Sequence, residues 1–103
     1  MSSYAFHPEA FTDLNEIWEF IAEDNIDAAD QLIEDFFEAV RRLVAFPHQG
    51  HHRSDLTSRP LRFIVVREYL IAYVPDESPL RVVAVLHGRR NPRIISAILK
   101  SRQ

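Results

Sequence analysis

The sequence contains no cysteine, only two glycines and no long hydrophobic run. The absence of cysteine excludes disulfides, cysteine-based zinc sites and thiol nucleophiles. Two isolated glycines, Gly50 and Gly88, do not form a glycine-rich phosphate loop, so ATP or dinucleotide binding is not expected. No apolar stretch approaches the ~20 residues of a membrane span, and the first residues lack the basic and apolar regions of a signal peptide. We therefore expect a cytoplasmic protein with no cofactor and no membrane contact.

The 103 residues have the length and composition of one globular domain, residues 1–103. Their charge is unevenly distributed. Residues 1–50 contain eleven acidic and two basic side chains, whereas residues 51–103 contain ten basic and four acidic ones. Eleven of the twelve basic residues are arginine, which pairs well with carboxylates and phosphates. Either the two halves pair with each other in the fold, or they attract charged partners.

Two amphipathic helices are predicted in the acidic half. Apolar residues recur at helical spacing over residues 8–23, with Pro8 in the first turn and His7 at the cap. A second helix is expected to begin after Asn25, with Asp27 as its cap, and to end before Pro47. The short connection between them makes the two helices an antiparallel hairpin. The aromatic residues expected in its core are Phe11, Trp18, Phe36, Phe37 and Phe46.

Pairs of carboxylates stand at helical spacing on these helices, Asp13 with Glu16 and Glu34 with Glu38. Paired carboxylates can carry acid–base chemistry. These lie opposite the apolar stripe, however, so we interpret them as a solvated helix face.

One loop contains three histidines within five positions, His48, His51 and His52. A zinc ion requires three or four converging ligands with supporting hydrogen bonds. A glycine-containing loop with two adjacent histidines gives poor ligand geometry. We therefore predict a solvated loop and no metal site.

After residue 60 the pattern changes to runs of β-branched and aromatic residues. Three strands are predicted at residues 61–66, 69–74 and 80–87, joined by short turns into an antiparallel meander. Residues 3–6 are a candidate fourth strand, and Asn91-Pro92 predicts the start of a short C-terminal helix. The expected fold class is therefore α+β, with an N-terminal antiparallel helix hairpin packed on a three- to four-stranded antiparallel sheet.

Apolar residues occupy both faces of the predicted strands. One helix hairpin covers only one face of such a sheet. The other face needs the C-terminal helix, a second copy or a partner chain, and of these we expect a partner surface. Its candidate polar members are Arg62, Arg81 and His87.

Four short motifs follow the acidic helix hairpin along the chain: Pro47-x-x-Gly50-x-x-Arg53, Leu61-Arg62, Tyr69-Leu70-Ile71-x-Tyr73 and His87-Gly88-Arg89-Arg90. In this order and spacing the chain resembles the RelE/ParE superfamily of bacterial toxins, and it is most similar to the ParE branch. The resemblance covers nearly the whole sequence.

The resemblance implies the toxin of a type II toxin–antitoxin system. Such a toxin forms a hetero-oligomer with a ParD-like antitoxin, whose C-terminal segment wraps around it. ParE-like toxins poison DNA gyrase, whereas RelE-like toxins cut mRNA in the ribosome. The expected function is inhibition of DNA gyrase by binding, without sequence-specific DNA binding by this chain alone. A ribosome-dependent mRNA endonuclease and a non-toxic remnant that only binds its antitoxin are the alternatives.

The endonuclease alternative depends on three residues. Metal-free RNA cleavage needs a base, an acid and cations on the phosphate. RelE-like enzymes take these from basic sheet residues and from a tyrosine or histidine near the C-terminus. Here the candidates are Arg62, His87 and Arg90, but no tyrosine or histidine follows Arg90. This function is therefore the second choice.

A run of arginines ends the last predicted strand and begins the C-terminal helix. It would attract a negatively charged partner, such as an acidic antitoxin tail, a face of gyrase or nucleic acid near it. Internal pairing with the acidic hairpin is the alternative. The residues expected to bind target or antitoxin are Arg62, Tyr69, Tyr73, His87, Gly88, Arg89, Arg90 and Arg93.

Overall fold

A computed structural model describes residues 3–103 and has the expected α+β architecture. The chain forms, in order, β1 (Tyr4–Phe6), α1 (Pro8–Ala22), α2 (Ile26–Ala45), β2 (Arg62–Val66), β3 (Tyr69–Val74), β4 (Leu80–His87) and α3 (Pro92–Ser101). Each predicted element is present, and the helix and strand ends lie close to those expected from the sequence.

Side-chain caps fix where the first two helices begin. The Nδ1 atom of His7 accepts a hydrogen bond of 3.0 Å from the backbone N–H of Glu9, which confirms His7 as the cap of α1. The predicted cap of α2 was wrong. Asn25 is the cap, because its side chain accepts from the backbone N–H of Ala28 at 3.0 Å, whereas Asp27 lies within the first turn. An acidic residue there still interacts favourably with the helix dipole.

The four strands form one sheet in the order β1-β4-β3-β2. The antiparallel meander is confirmed for β2, β3 and β4. The N-terminal strand differs from the expected antiparallel sheet, because β1 pairs parallel to β4, with Tyr4 opposite Leu80 and Phe6 opposite Val82. The sheet is therefore mixed. A parallel neighbour requires a long crossover, and here the helix hairpin together with β2 and β3 provides it.

The helix hairpin packs on one face of the sheet. Phe36 is buried there and Phe37 is partly buried, while the indole N–H of Trp18 donates to Asp30 of the other helix at 2.8 Å. Phe11 and Phe46 were wrongly expected in this core, because their side chains are 55% and 69% exposed. The fully buried residues of this face include Val40, Leu43, Ile71, Tyr73 and Val82.

The C-terminal helix covers the other face of the sheet. Ile95 and Leu99, four residues apart on α3, are 2% and 0% exposed and pack against Phe63, Leu70 and Leu86. The expectation of a partner surface on this face is therefore wrong. The apolar stripe of α3 has the helical spacing that lets a ten-residue helix cover these strands.

Three arginines hold the end of the chain in place. The guanidinium of Arg59 donates to the carbonyl oxygens of Leu99 and Arg102 at 2.6 and 2.5 Å, and Arg81 donates to the carbonyl of Gln103. Arg102 forms an ion pair with Asp13, in which both side chains are almost fully buried. Asp13 therefore does not belong to the solvated helix face that the sequence pattern indicated.

Candidate functional site

The site is assembled where β4 ends, beside β3 and α1. Tyr69 and His87 are directly opposite each other on β3 and β4, with ring centroids 5.3 Å apart in an edge-on arrangement. Phe36 of α2 packs edge-on against the other side of Tyr69 at 5.6 Å. These contacts fix two of the predicted site residues, because each ring is held by a neighbour on a different element.

Hydrogen bonds orient the His87 ring. Its Nδ1 atom accepts from the backbone N–H of Arg89 at 3.1 Å, so the proton of the neutral ring is on Nε2. Nε2 lies 3.6 Å from a carboxylate oxygen of Glu68. Burial, with a smaller contribution from Glu68, raises the pKa of Tyr69 above its usual value. The tyrosine hydroxyl is therefore protonated at neutral pH and is available as a hydrogen-bond donor.

Gly88 allows β4 to end against the turn between β2 and β3. Its N–H donates to the carbonyl oxygen of Glu68 at 2.8 Å. A Cβ atom at position 88 would lie only 3.2 Å from that oxygen. A side chain at position 88 would therefore need a small shift of the Glu68 carbonyl. The glycine does not serve a left-handed backbone conformation, since neither glycine has a positive φ.

Arg89, Arg90 and Arg93, which we call the arginine corner, are all exposed at the junction of β4 and α3. None of them forms an ion pair with a carboxylate anywhere in residues 3–103. The alternative of internal pairing with the acidic hairpin is therefore not observed for this cluster. Asn91 caps α3 between them, with its side chain accepting from the N–H of Arg93 at 2.8 Å. Three uncompensated guanidinium groups thus share one corner of the molecule.

A groove of about 290 Å³, which we call the α1–β4 groove, begins at the arginine corner and follows the edge of β4. Helix α1 forms its other wall. It brings together three of the predicted site residues, Tyr69, His87 and Arg90, with residues of α1 that the sequence analysis did not assign to a binding site. Its lining residues from the helix are Asp13, Glu16, Ile17 and Phe20.

Arg62 and Tyr73 do not lie at this site. They are opposite each other in the β2–β3 register, four residues along β3 from Tyr69, which corresponds to about 13 Å. Tyr73 is fully buried, and its hydroxyl accepts from the N–H of Gly50 at 3.0 Å and donates to the carbonyl of Pro47 at 2.7 Å. Arg62 donates to the carbonyl of Gly50 at 2.7 Å. Both residues hold the loop that carries the Pro-x-x-Gly motif.

The histidine-containing loop has its own contacts. His48 lies 2.8 Å from the carboxylate of Asp76, and both side chains are largely exposed. The backbone of His51 pairs with Phe63 at the edge of β2. Across the part of the chain that the structure describes, no cluster of three or more potential metal ligands is present.

Two features of the site were missed by sequence reasoning. The first is Phe20, whose side chain is 73% exposed. Its position outside the apolar stripe of α1 could have indicated an exposed aromatic residue from the sequence alone. The Asp13–Arg102 ion pair joins residues that are 89 positions apart, so no local pattern indicated it.

In residues 3–103, no helix is both long enough and apolar enough to span a membrane.

The helix hairpin on a four-stranded mixed sheet, with a short C-terminal helix on its other face, has the architecture of the RelE/ParE class of small toxins. Residues 4–92 match the family model described as the ParE toxin of the type II toxin–antitoxin system parDE. The chain therefore belongs to the ParE toxin family. No curated protein matches it in the sequence comparison.

Proposed function

We propose that this ParE-family toxin acts in the cytoplasm by binding DNA gyrase, and that a ParD-like antitoxin neutralises it in a hetero-oligomeric complex. Membership of the family makes the chain a toxin of a type II toxin–antitoxin system, which implies an antitoxin partner. What we propose beyond this is that the target is DNA gyrase and that the antitoxin is ParD-like.

The observation that carries this proposal is the arginine corner. Arg89, Arg90 and Arg93 are exposed and lack ion pairs within the described chain. Such a cluster steers association with negatively charged surfaces and strengthens the encounter at low salt. A complex of gyrase with DNA has a negatively charged surface of this kind. Arginine also forms bidentate hydrogen bonds with carboxylates and phosphates, which would orient the toxin on its target.

The geometry favours inhibition by binding over RNA cleavage. The three endonuclease candidates do not converge, because Arg62 donates to Gly50 at the far end of β3 from His87. Only His87 and Arg90 share the α1–β4 groove. The arrangement suggested by the sequence, with Arg62 and Arg90 on one phosphate beside His87, is therefore not assembled.

A gyrase supercoiling assay tests the proposed target directly. We expect the purified toxin to reduce supercoiling or to accumulate cleaved DNA complexes, and we expect the antitoxin to reverse this. Replacing Arg89, Arg90 and Arg93 together by glutamate should raise the concentration needed for inhibition by at least about tenfold. The matched control is Arg41→Glu, an exposed arginine of α2.

The assay also separates the alternatives. If folded, antitoxin-free toxin leaves gyrase unaffected, the gyrase target is wrong. Codon-specific cuts in ribosome-bound mRNA would then identify the endonuclease. A protein that binds its antitoxin but affects neither gyrase nor mRNA would be the non-toxic remnant.

A further inference from the structure

The last part of the chain has basic side chains but no acidic ones. Residues 78–103 contain five arginines and one lysine, and Glu77 is the last acidic residue of the sequence. Arg81 and Arg102 are used inside the fold, where they hold the end of the chain in place. The other four cations are the arginine corner and Lys100. They are exposed and form no ion pair within residues 3–103, so they can bind an external anion.

Helix α3 places two of these cations on one side. Its inner side is apolar, because Ile95 and Leu99 pack on the sheet. Arg93 and Lys100 are seven residues apart, which corresponds to nearly two full turns and to about 10 Å along the helix. Both side chains therefore point away from the sheet in almost the same direction. They extend the positive charge of the arginine corner along the outside of the helix.

A groove of about 320 Å³, which we call the α3 groove, has both cations in its lining. The helix residues between them in the lining, Ser96 and Ala97, have small side chains that leave room for close approach. Asp55 also lines the groove, but its two carboxylate oxygens accept from Arg53 at 2.9 and 2.8 Å. Among the described residues, the lining of this groove therefore has two free cations and no unpaired carboxylate.

The charge of the remaining molecule restricts where a polyanion can bind. Residues 1–50 contain eleven acidic and two basic side chains. The helix hairpin within this segment packs on the face of the sheet opposite to α3. It repels an approaching polyanion, whereas α3 and the arginine corner attract it. A negatively charged partner is thus oriented toward one side of the toxin.

Duplex DNA matches a row of cations better than the carboxylates of a protein surface do. Each strand of a duplex has one phosphate per about 3.4 Å of helix axis, so the distance of about 10 Å from Arg93 to Lys100 spans about three phosphates. Carboxylates on a protein surface are separate charges with no such repeat. Guanidinium groups also form bidentate hydrogen bonds with phosphate oxygens.

We propose that the α3 groove and the arginine corner contact the phosphate backbone of the DNA segment held by gyrase. This inference rests on the gyrase target proposed above and names the group that the arginine corner binds there. Phosphate contacts carry no sequence information, so binding has no sequence preference. The net charge of the toxin is −3, which makes its binding to DNA alone weak, and gyrase presents the DNA to it.

Binding of the toxin to purified gyrase, with and without linear duplex DNA, tests this contact. We expect DNA to tighten the binding by at least about tenfold. Arg93→Gln and Lys100→Gln should each weaken binding to the gyrase–DNA complex by about three- to tenfold. Each should also reduce the slope of log affinity against log salt concentration by about 0.9, because one phosphate contact is lost. The matched control is Arg41→Gln, at an exposed arginine of the acidic hairpin, which should behave as the wild type.

The outcomes separate the DNA contact from the gyrase target. Equal affinity for gyrase with and without DNA, or wild-type behaviour of folded Lys100→Gln, would overturn the DNA contact and leave gyrase as the target. A toxin that binds neither form of gyrase would show that the proposed target is wrong. Titration with duplex DNA at low salt is independent of gyrase, and there Lys100→Gln should bind less tightly than Arg41→Gln. Equal binding of these two variants would overturn the groove as a phosphate site, and tighter binding of an RNA of equal length would overturn DNA as its ligand.

Discussion

Asp13 and Arg102 form a bidentate ion pair across the edge of the sheet. Arg102 Nη1 lies 2.6 Å from Asp13 Oδ2, and Nη2 lies 3.0 Å from Oδ1, with side chains that are 9% and 12% exposed. The same two side chains satisfy the N–H of Val85 and the carbonyl of Val83. The ion pair therefore supplies hydrogen bonds that a neighbouring strand could otherwise make to Val83 and Val85. It also links the C-terminal end of α3 to α1.

Replacing Arg102 by methionine should destabilise the fold strongly. The substitution leaves the Asp13 carboxylate buried without a counter-charge and the Val83 carbonyl without a donor. Removing one member of a buried ion pair typically costs about 3–5 kcal/mol. We expect a loss of this size in the free energy of unfolding, measured by urea denaturation.

Lys100→Met is the matched control for this variant, because Lys100 is exposed in the last turn of the same helix. It should change stability by less than about 0.5 kcal/mol. The double variant Asp13→Ala/Arg102→Met should lose less than the sum of its single variants, since neither charge is then left unpaired. Similar stabilities for Arg102→Met and Lys100→Met would show that the ion pair contributes little.

The two glycines should respond differently to alanine. A Cβ atom at position 50 would lie 2.6 Å from the Tyr73 hydroxyl and 2.8 Å from the carbonyl oxygen of Phe63. Gly50→Ala must therefore displace Tyr73 or the strand, and we expect a loss of about 3 kcal/mol. At position 88 the atom closest to an added Cβ is 3.2 Å away. Replacing glycine by alanine also makes the unfolded chain less flexible, which offsets part of the destabilisation of the folded protein.

Thermal and urea unfolding of both alanine variants would measure this difference. Gly88→Ala should stay within about 1 kcal/mol of the wild type. If Gly50→Ala is equally mild, then Tyr73 is not held between Gly50 and Pro47 as the hydrogen bonds indicate.

Alkaline pH should destabilise the protein through Tyr73, which is buried, and Tyr69, which is partly buried. Burial raises the pKa of Tyr73 above 10.0 and also raises that of Tyr69. The unfolded chain loses these protons near pH 10, while the folded protein retains them. This contribution to stability is therefore complete below about pH 10 and is lost as the pH rises further, at no more than about 1.4 kcal/mol per pH unit for each tyrosine.

Urea denaturation between pH 8 and pH 11 would measure this dependence. Tyr73→Phe should lower the stability at pH 8 by about 1–3 kcal/mol, because the buried N–H of Gly50 and the partly buried carbonyl of Pro47 lose their partner. The same variant should have a shallower decline above pH 10, and Tyr69→Phe/Tyr73→Phe should flatten it further. A decline as steep as that of the wild type in the double variant would assign the alkaline effect to other groups.

Local patterns in the sequence were sufficient for most of the fold. The periodicity around Leu14 and Leu43, the cap at His7 and the β-branched runs each depend on residues close in the chain, so a single sequence can show them. The partners of Asp13 and the orientation of β1 depend on residues about 70 to 90 positions away. Periodicity carries no information about such pairs.

Part of the candidate site could also be predicted from the sequence, because several of its residues are close together in the chain. His87, Gly88 and the arginine corner are contiguous or nearly so, and their residue types indicated an anion-binding surface. Arg62 and Tyr73 had equally suggestive residue types, yet the fold uses both to hold Gly50. Which polar residues remain available to a partner depends on tertiary contacts, and these cannot be read from residue type.

Arg90→Ala should reduce toxicity and leave the fold intact. Arg90 is exposed and forms no ion pair in the described chain, so its removal costs little stability. We expect growth inhibition on induction to weaken by about tenfold, with an unchanged melting temperature, whereas Arg41→Ala retains full toxicity. Because the proposed contact is electrostatic, raising the salt concentration should weaken inhibition by the wild type more than by Arg90→Ala. Full toxicity of folded Arg90→Ala would remove this residue from the target surface.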